Sequence, residues 1–186
     1  MRLFIAITLS QSLRDHLTGI QDSLASAREE LRFTSPENLH LTLKFLGEVP
    51  DAKISQVLEI LRKAGSECSC FTMALFETGC FPERGGVRIV WAGLKEDTGV
   101  LANCATLLED EYQSLGFEKE SRAFSPHITI ARVRKNSSPR NLREIVSGLK
   151  PKRIEQHVTH LSLMRSVLQK SGASYELIEE VELGET

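Results

Sequence analysis

The chain has 186 residues, of which 41% are apolar and 26% charged, with a formal net charge of −2. That is the length and composition of one globular domain, spanning 1–186, and it excludes a disordered or collagen-like polymer. No apolar run approaches the roughly 20 residues a membrane helix needs, and Leu3–Ile7 is too short for the apolar region of a signal peptide, so a cytoplasmic protein without a membrane partner is expected.

In chain order, Arg2–Ile7 reads as a strand. Leu13, Leu17, Ile20, Leu24 and Leu31 then recur at helical spacing and predict an amphipathic helix from Ser12 to Leu31. Leu39–Leu46 alternates strictly and predicts a strand, ended by Gly47 and Pro50. Asp51 can cap a second helix with Ile54, Val57, Leu58 and Leu61 on one face. Strands follow at Cys70–Leu75 and Val87–Trp91, then a helix from Val100 to Leu115 that stops at Gly116. Phe124–Val133 is a strand, and a fourth helix has Pro139 near its first turn and turns Leu142, Ile145, Val146 and Leu149 inward. Val158–Val167 and Tyr175–Leu183 close the chain as strands. Irregular alternation with short strand links predicts an α+β fold with mostly antiparallel sheets. The four cysteines, Cys68, Cys70, Cys80 and Cys104, include a Cys-x-Cys pair too tightly spaced for a zinc ribbon, so they read as free thiols.

Charge is unevenly spread. Ser121–Lys170 holds eleven Lys and Arg against two acids, a local +9 that leaves −11 on the rest of the chain. Such a segment is either a solvated basic face or the landing site of an anionic partner.

Two strands carry one short pattern, His40-Leu41-Thr42-Leu43 and His127-Ile128-Thr129-Ile130. Strand side chains alternate between faces, so each strand presents one imidazole beside one hydroxyl and turns two aliphatics the other way. With 5 His and 11 Thr in the chain, about 0.3 His-x-Thr matches are expected by chance, and three occur. In the third, His157-Val158-Thr159, the next slot is His160 instead of an aliphatic, so it reads as a decoy. A neutral imidazole can take a proton from a nucleophile and a protonated one can give a proton to a leaving oxygen, while hydroxyls can donate to non-bridging phosphate oxygens. The chemistry suits metal-independent phosphodiester cleavage by His40, His127, Thr42 and Thr129. One histidine per strand is too few for zinc, and no cofactor is called for.

The fuller stretches Pro36–Gly47 and Ser125–Arg132, with Phe4–Ile7, Arg88–Gly93, Met164–Ser166 and Gly172–Glu176, resemble the two-histidine phosphoesterase superfamily, and within it the RNA 2′,3′-cyclic phosphodiesterases once called 2′-5′ RNA ligases. The resemblance implies a bilobal fold with two helices per lobe around a central cleft, each lobe supplying one His-x-Thr strand. It implies that His40 is the general acid and His127 the general base, and that the substrate is an RNA or oligonucleotide ending in a 2′,3′-cyclic phosphate, opened to a 2′-phosphate. A monomer is expected, although the sequence itself leaves the oligomeric state open. RNA end joining through the same displacement, and a non-catalytic RNA-binding module, are the alternatives.

Three further residues are candidates for substrate binding. Lys44 shares the nominal strand face of His40, although a solvated strand end explains it too. The resemblance suggests a phosphate or RNA contact for Arg132, yet simple alternation puts it on the face opposite His127. Trp91 is either a platform for a base or a core residue. Arg134, Lys135, Arg140 and Arg143 are candidates for a basic rim.

Overall fold

The protein is described by a computed structural model covering residues 1–169 and 172–184. Its strands form two antiparallel sheets. The first is ordered β3-β1-β8-β9, from β1 (Arg2–Thr8), β3 (His40–Glu48), β8 (His160–Gln169) and β9 (Gly172–Glu182). The second is ordered β2-β6-β5-β4-β7, from β2 (Leu31–Phe33), β4 (Phe71–Phe81), β5 (Ile89–Lys95), β6 (His127–Val133) and β7 (Glu155–Val158).

Two helices back each sheet, as expected, but each sheet takes one helix that follows a strand of the other. Helix α1 (Gln11–Asp22) leaves β1 of the first sheet and packs on β6 of the second, joined there by α4 (Leu142–Gly148) on β4. Helices α2 (Ile54–Glu67) and α3 (Val100–Ser114) pack on each other and on β8, β9 and β3 of the first sheet. The chain thus crosses repeatedly between lobes, and one continuous apolar core runs under both sheets. Helix α1 starts where the Ser10 hydroxyl accepts from the Leu13 N–H at 3.3 Å, and it buries Leu13, Leu17 and Ile20.

The helix predicted to run to Leu31 ends at Asp22. Leu24 and Leu31 are buried as their spacing requires, but from a 3₁₀ turn region and from the first residue of β2. An apolar stripe records burial, and two short elements supply it as well as one long helix does. The strand expected from Val158 to Val167 is also two strands. Val158 is buried in the second sheet opposite Phe71, whereas Leu161 and Leu163 are buried in the first, and the chain changes sheets at Thr159.

Both His-x-Thr strands depart from simple alternation at the same place. In β3, Thr42 pairs with Ala6 and Lys44 with Ile5, so Leu43 is one residue extra. In β6, Thr129 pairs with Trp91 and Ala131 with Val90, so Ile130 is one extra. Each is a β-bulge that puts two successive residues on the buried face and reverses the alternation beyond it. The carbonyl of Ile130 is satisfied twice, by the Thr34 N–H at 3.0 Å and the Gln21 amide at 2.8 Å. Gln21 also donates to the Thr34 carbonyl at 2.7 Å, so this buried polar residue in the apolar stripe of α1 joins the bulge to the chain just after β2.

The β3 bulge corrects the reading of Lys44. Its side chain is not on the face of His40 and not at a solvated strand end. It is 1% exposed, and its ammonium donates to Glu109 Oε2 at 2.7 Å and to the Glu118 carbonyl at 2.5 Å. A buried ammonium is tolerable only with such partners, and removing it leaves them unmatched. We therefore expect Lys44→Met to lower the unfolding free energy by about 2–4 kcal/mol in urea titrations; a loss below about 0.5 kcal/mol would place the pair in water instead.

Candidate active site

Strand β3 opens on His40 and strand β6 on His127, and β3 approaches β6 where the sheets meet. The two imidazoles are held alike. His40 Nδ1 lies 2.7 Å from the Asn38 carbonyl and His127 Nδ1 2.7 Å from the Ser125 carbonyl. A carbonyl only accepts, so each Nδ1 carries the hydrogen. Each Nε2 is then the nitrogen left to take or give a proton. Both anchoring carbonyls lie two residues before their histidine. Pro126 keeps Ser125 extended, and the Asn38 side chain is fixed to β9 by donating to the Ala173 carbonyl at 3.1 Å and accepting from the Tyr175 N–H at 3.2 Å.

Aromatic rings complete each cradle. Tyr175 meets His40 edge-on, with centroids 4.9 Å apart and an interplanar angle of 84°, and Phe4 lies against the same imidazole at 4.9 Å. Phe81 meets His127 edge-on at 5.1 Å and 86°. Trp91 lies 6.4 Å from His127 and packs on Phe81 at 5.3 Å. Beneath Trp91 is Gly79, where an added Cβ would come within 2.2 Å of the indole, so only glycine fits. Trp91 thus forms part of the bed of His127, directly across from Thr129. Thr42 and Thr129 are half-buried, and among the described residues neither hydroxyl has a protein hydrogen-bond partner.

The β6 bulge resolves the position of Arg132. Strict alternation opposes it to His127; the extra Ile130 returns it to the face of His127 and Thr129, where it is exposed. Its charge acts on His40 across the cleft. Burial holds the His40 imidazole below the ordinary histidine value of 6.5 and Arg132 adds to that lowering, while the Asn38 carbonyl opposes both. The bulge therefore turns Arg132 toward the cleft that Asn38 and Tyr175, the neighbours of His40, also line.

The third match lies elsewhere. His157 is exposed on the edge strand β7, 3.3 Å from the Thr72 hydroxyl, and Thr159, outside any strand, meets His160 Nδ1 at 2.7 Å. Of the basic rim, Arg143 is occupied by the Pro82 and Gly85 carbonyls, at 2.8 and 3.2 Å. Among the described residues, no three His, Cys, Asp or Glu side chains are grouped as metal ligands would be. Sequence reading passed over Asn38 and Gln21. Asn38 was visible only as a polar residue two before the motif, and Gln21 only as a break in an apolar stripe.

A family model described as LigT-like phosphoesterase matches residues 7–91 and 94–175. The chain is 34% identical over 176 residues to an RNA 2′,3′-cyclic phosphodiesterase of Methanothermobacter thermautotrophicus, covering 94% of this chain and 95% of the relative. It is 31% identical to an RNA 2′,3′-cyclic phosphodiesterase of Thermotoga maritima, covering 97% and 94%. Among solved structures, TT0787 of Thermus thermophilus superposes with a TM-score of 0.85 at 31% identity over all of both chains. E. coli LigT complexed with 3′-AMP superposes with a TM-score of 0.76 at 26% identity, covering 98% of this chain and 97% of that one.

The electrostatics predict a titration. Followed by the NMR shift of its Cε1–H, His40 of the free protein is expected to titrate below 6.5, and Arg132→Gln to move it upward. A His40 midpoint that Arg132→Gln leaves in place or lowers would show that the guanidinium does not reach the imidazole.

Proposed function

The chain belongs to the LigT-like phosphoesterase family, and we propose that it hydrolyses RNA 2′,3′-cyclic phosphate ends to 2′-phosphate ends without a metal. One observation carries the reading. Two histidines on facing strands each have Nδ1 fixed to a backbone carbonyl and Nε2 left to act, with a threonine hydroxyl on the same strand face. The names of the relatives support the substrate class, being RNA 2′,3′-cyclic phosphodiesterases.

In the reaction His127 takes a proton from water through Nε2 as the water oxygen bonds to phosphorus. The P–O3′ bond breaks, and the electron pair that stays on O3′ takes the proton of His40 Nε2. The phosphate remains on O2′. Thr42 and Thr129 donate to the non-bridging oxygens, and Arg132 balances their charge. The direction, with His40 on the O3′ side, follows the family resemblance. We take the enzyme to be a single bilobal domain that works as a monomer in the cytoplasm. Its free thiols Cys68, Cys70, Cys80 and Cys104 suit a reducing compartment, and gel filtration tests the monomer.

The test is turnover of a short RNA ending in a 2′,3′-cyclic phosphate, in EDTA, with product isomers resolved. The wild type is expected to give the 2′-phosphate. His40→Ala and His127→Ala should each lose roughly 10²–10⁴ in kcat, while His157→Ala stays within a few-fold. Activity that vanishes in EDTA and returns with one divalent ion, or a His157→Ala loss as deep as the other two, refutes the assignment.

A further inference from the structure

Strand β4 carries a third bulge. Leu75 pairs with Leu94 and Glu77 with Gly93, so Phe76 is one residue extra. The extra residue reverses the alternation. Met73 and Leu75 are buried before it and Cys80 after it, so Glu77, Gly79 and Phe81 are turned to the cleft face. Gly93 pairs in turn with His127, which puts Glu77, Gly93 and His127 in one row across three strands. The middle of that row has no side chain. A Cβ added at Gly93 would lie 2.9 Å from Glu77 Cγ, 3.5 Å from Glu77 Oε1 and 3.0 Å from the Trp91 ring. Glu77 therefore leans over β5 toward β6, into space that only glycine leaves open, and the position of that Cβ is about 5 Å from the Cβ of His127. Glu77 is exposed, and among the described residues its carboxylate has no hydrogen-bond or ion-pair partner; Lys95, two residues beyond Gly93, is paired with Asp97 at 2.9 Å. An unpartnered carboxylate beside the base acts on whatever reaches the base.

We propose that Glu77 determines the nucleophile: its carboxylate favours water over the 5′-hydroxyl of a second RNA, so that cyclic ends are hydrolysed and not joined. This rests on the proposed function with His127 as the base, and it needs only the position of the entering oxygen. That oxygen is within hydrogen-bond reach of His127 Nε2 and in line with the leaving O3′, on the opposite side of phosphorus. His40 stands on β3, which meets β6 from one side, and β5 and β4 lie on the other. The entering oxygen is thus on the side of Gly93 and Glu77. In joining, the 5′-oxygen bonds to phosphorus as its proton goes to His127, the P–O3′ bond breaks, and O3′ takes the proton of His40. The product is a 2′-5′ linkage. The two reactions differ only in what the entering oxygen carries, a second hydrogen in water and a polyanion in RNA. Water can donate its second hydrogen to the carboxylate. An RNA acceptor brings a phosphate one sugar away from the entering oxygen, where salt screens the repulsion from a like charge only in part, the Debye length being about 8 Å. A repulsive element of this kind gives specificity by penalising the wrong partner.

A partition experiment tests the assignment. The donor is a short RNA ending in a 2′,3′-cyclic phosphate, 5′-phosphorylated so that it cannot join to itself. The acceptors are an oligonucleotide with a 5′-hydroxyl and, as a neutral counterpart, 2′,3′-dideoxyadenosine. The reading is the ratio of joined to hydrolysed product. Glu77→Gln is expected to raise that ratio about fivefold or more with the oligonucleotide and less than about twofold with the nucleoside. Glu77→Asp, which keeps the charge, should stay near the wild type, and thermal unfolding checks that both variants are folded. The assignment is overturned if Glu77→Gln leaves the oligonucleotide ratio within about twofold of the wild type, raises it equally with both acceptors, or is matched by Glu77→Asp. Should the wild type turn over no cyclic end, the proposed function fails by itself. The repulsion is then read from quenching of the single tryptophan, Trp91, by the 5′-hydroxyl oligonucleotide. Glu77→Gln should bind it at least about threefold tighter than the wild type, and Glu67→Gln, an equal charge change at the exposed end of α2, should not. Equal affinities for the wild type and Glu77→Gln, or an equal gain in Glu67→Gln, overturn the assignment.

Discussion

A strand has two faces and its side chains alternate between them, so a strand that helps build a core cannot freely choose what it presents to a cleft. In β3 and β6 the core demand is strong. Leu41, Leu43, Ile128 and Ile130 are buried, each worth roughly 1.5–3 kcal/mol relative to exposure, and a one-residue slip would turn them all outward. His40, Thr42, His127 and Thr129 face the cleft because these aliphatics face away. The bulge that follows each motif relaxes the constraint for the residues beyond it. In β6 it turns Arg132 toward the cleft. In β3 it turns Lys44 into the core and Phe45 outward, where it is 57% exposed. One backbone device at equivalent positions thus gives one lobe an exposed cation and the other an exposed aromatic ring.

The bulges themselves need support, since an extra residue leaves ladder groups without their usual partners. In β6 that support comes from Gln21 and Thr34, which both donate to the Ile130 carbonyl. Helix α1 therefore does more than cover the second sheet, because its one buried amide holds the backbone at the point that aims Arg132. The lobes are tied together in the same manner by Gln156 of β7. Its side chain accepts from the Ser10 N–H and donates to the Thr8 carbonyl, each at 2.8 Å, just past the end of β1 and at its last residue. Buried or bridging amides such as these can satisfy a donor and an acceptor at once, which no aliphatic side chain can do.

Most of the site was legible in the sequence because its logic is local. A His-x-Thr pair over two aliphatics states which face is polar, and the resemblance extended that to the fold, whose four helices divide two per sheet as expected. What escaped the sequence is what depends on pairing. Nothing in Leu43-Lys44 or Ile130-Ala131 announces an extra residue, so alternation misplaced both Lys44 and Arg132 in opposite senses. The three-residue strand β2 escaped because Leu31 fits a helical stripe as well as it fits a strand. Glu77 escaped because its place across Gly93 from His127 is a property of register, which no spacing within either segment encodes.

The two histidines are anchored alike but do not share one electrostatic setting. His40 is packed between Phe4 and Tyr175, and its burial, together with Arg132, disfavours the imidazolium in the free protein. On the proposed reading His40 must nevertheless be protonated when O3′ leaves. The substrate supplies the missing charge. An anionic phosphate seated between Arg132 and the imidazole cancels the repulsion that Arg132 exerts and adds an attraction that offsets burial, so substrate and proton each favour the other's binding. On that reading Arg132 acts twice, adding to the lowering that burial imposes on His40 while the cleft is empty and becoming the phosphate's partner when it is filled. Placing the guanidinium on the strand of one histidine, aimed by a bulge toward the cleft beside the other, would on that reading couple protonation of the acid to arrival of the group that needs the proton.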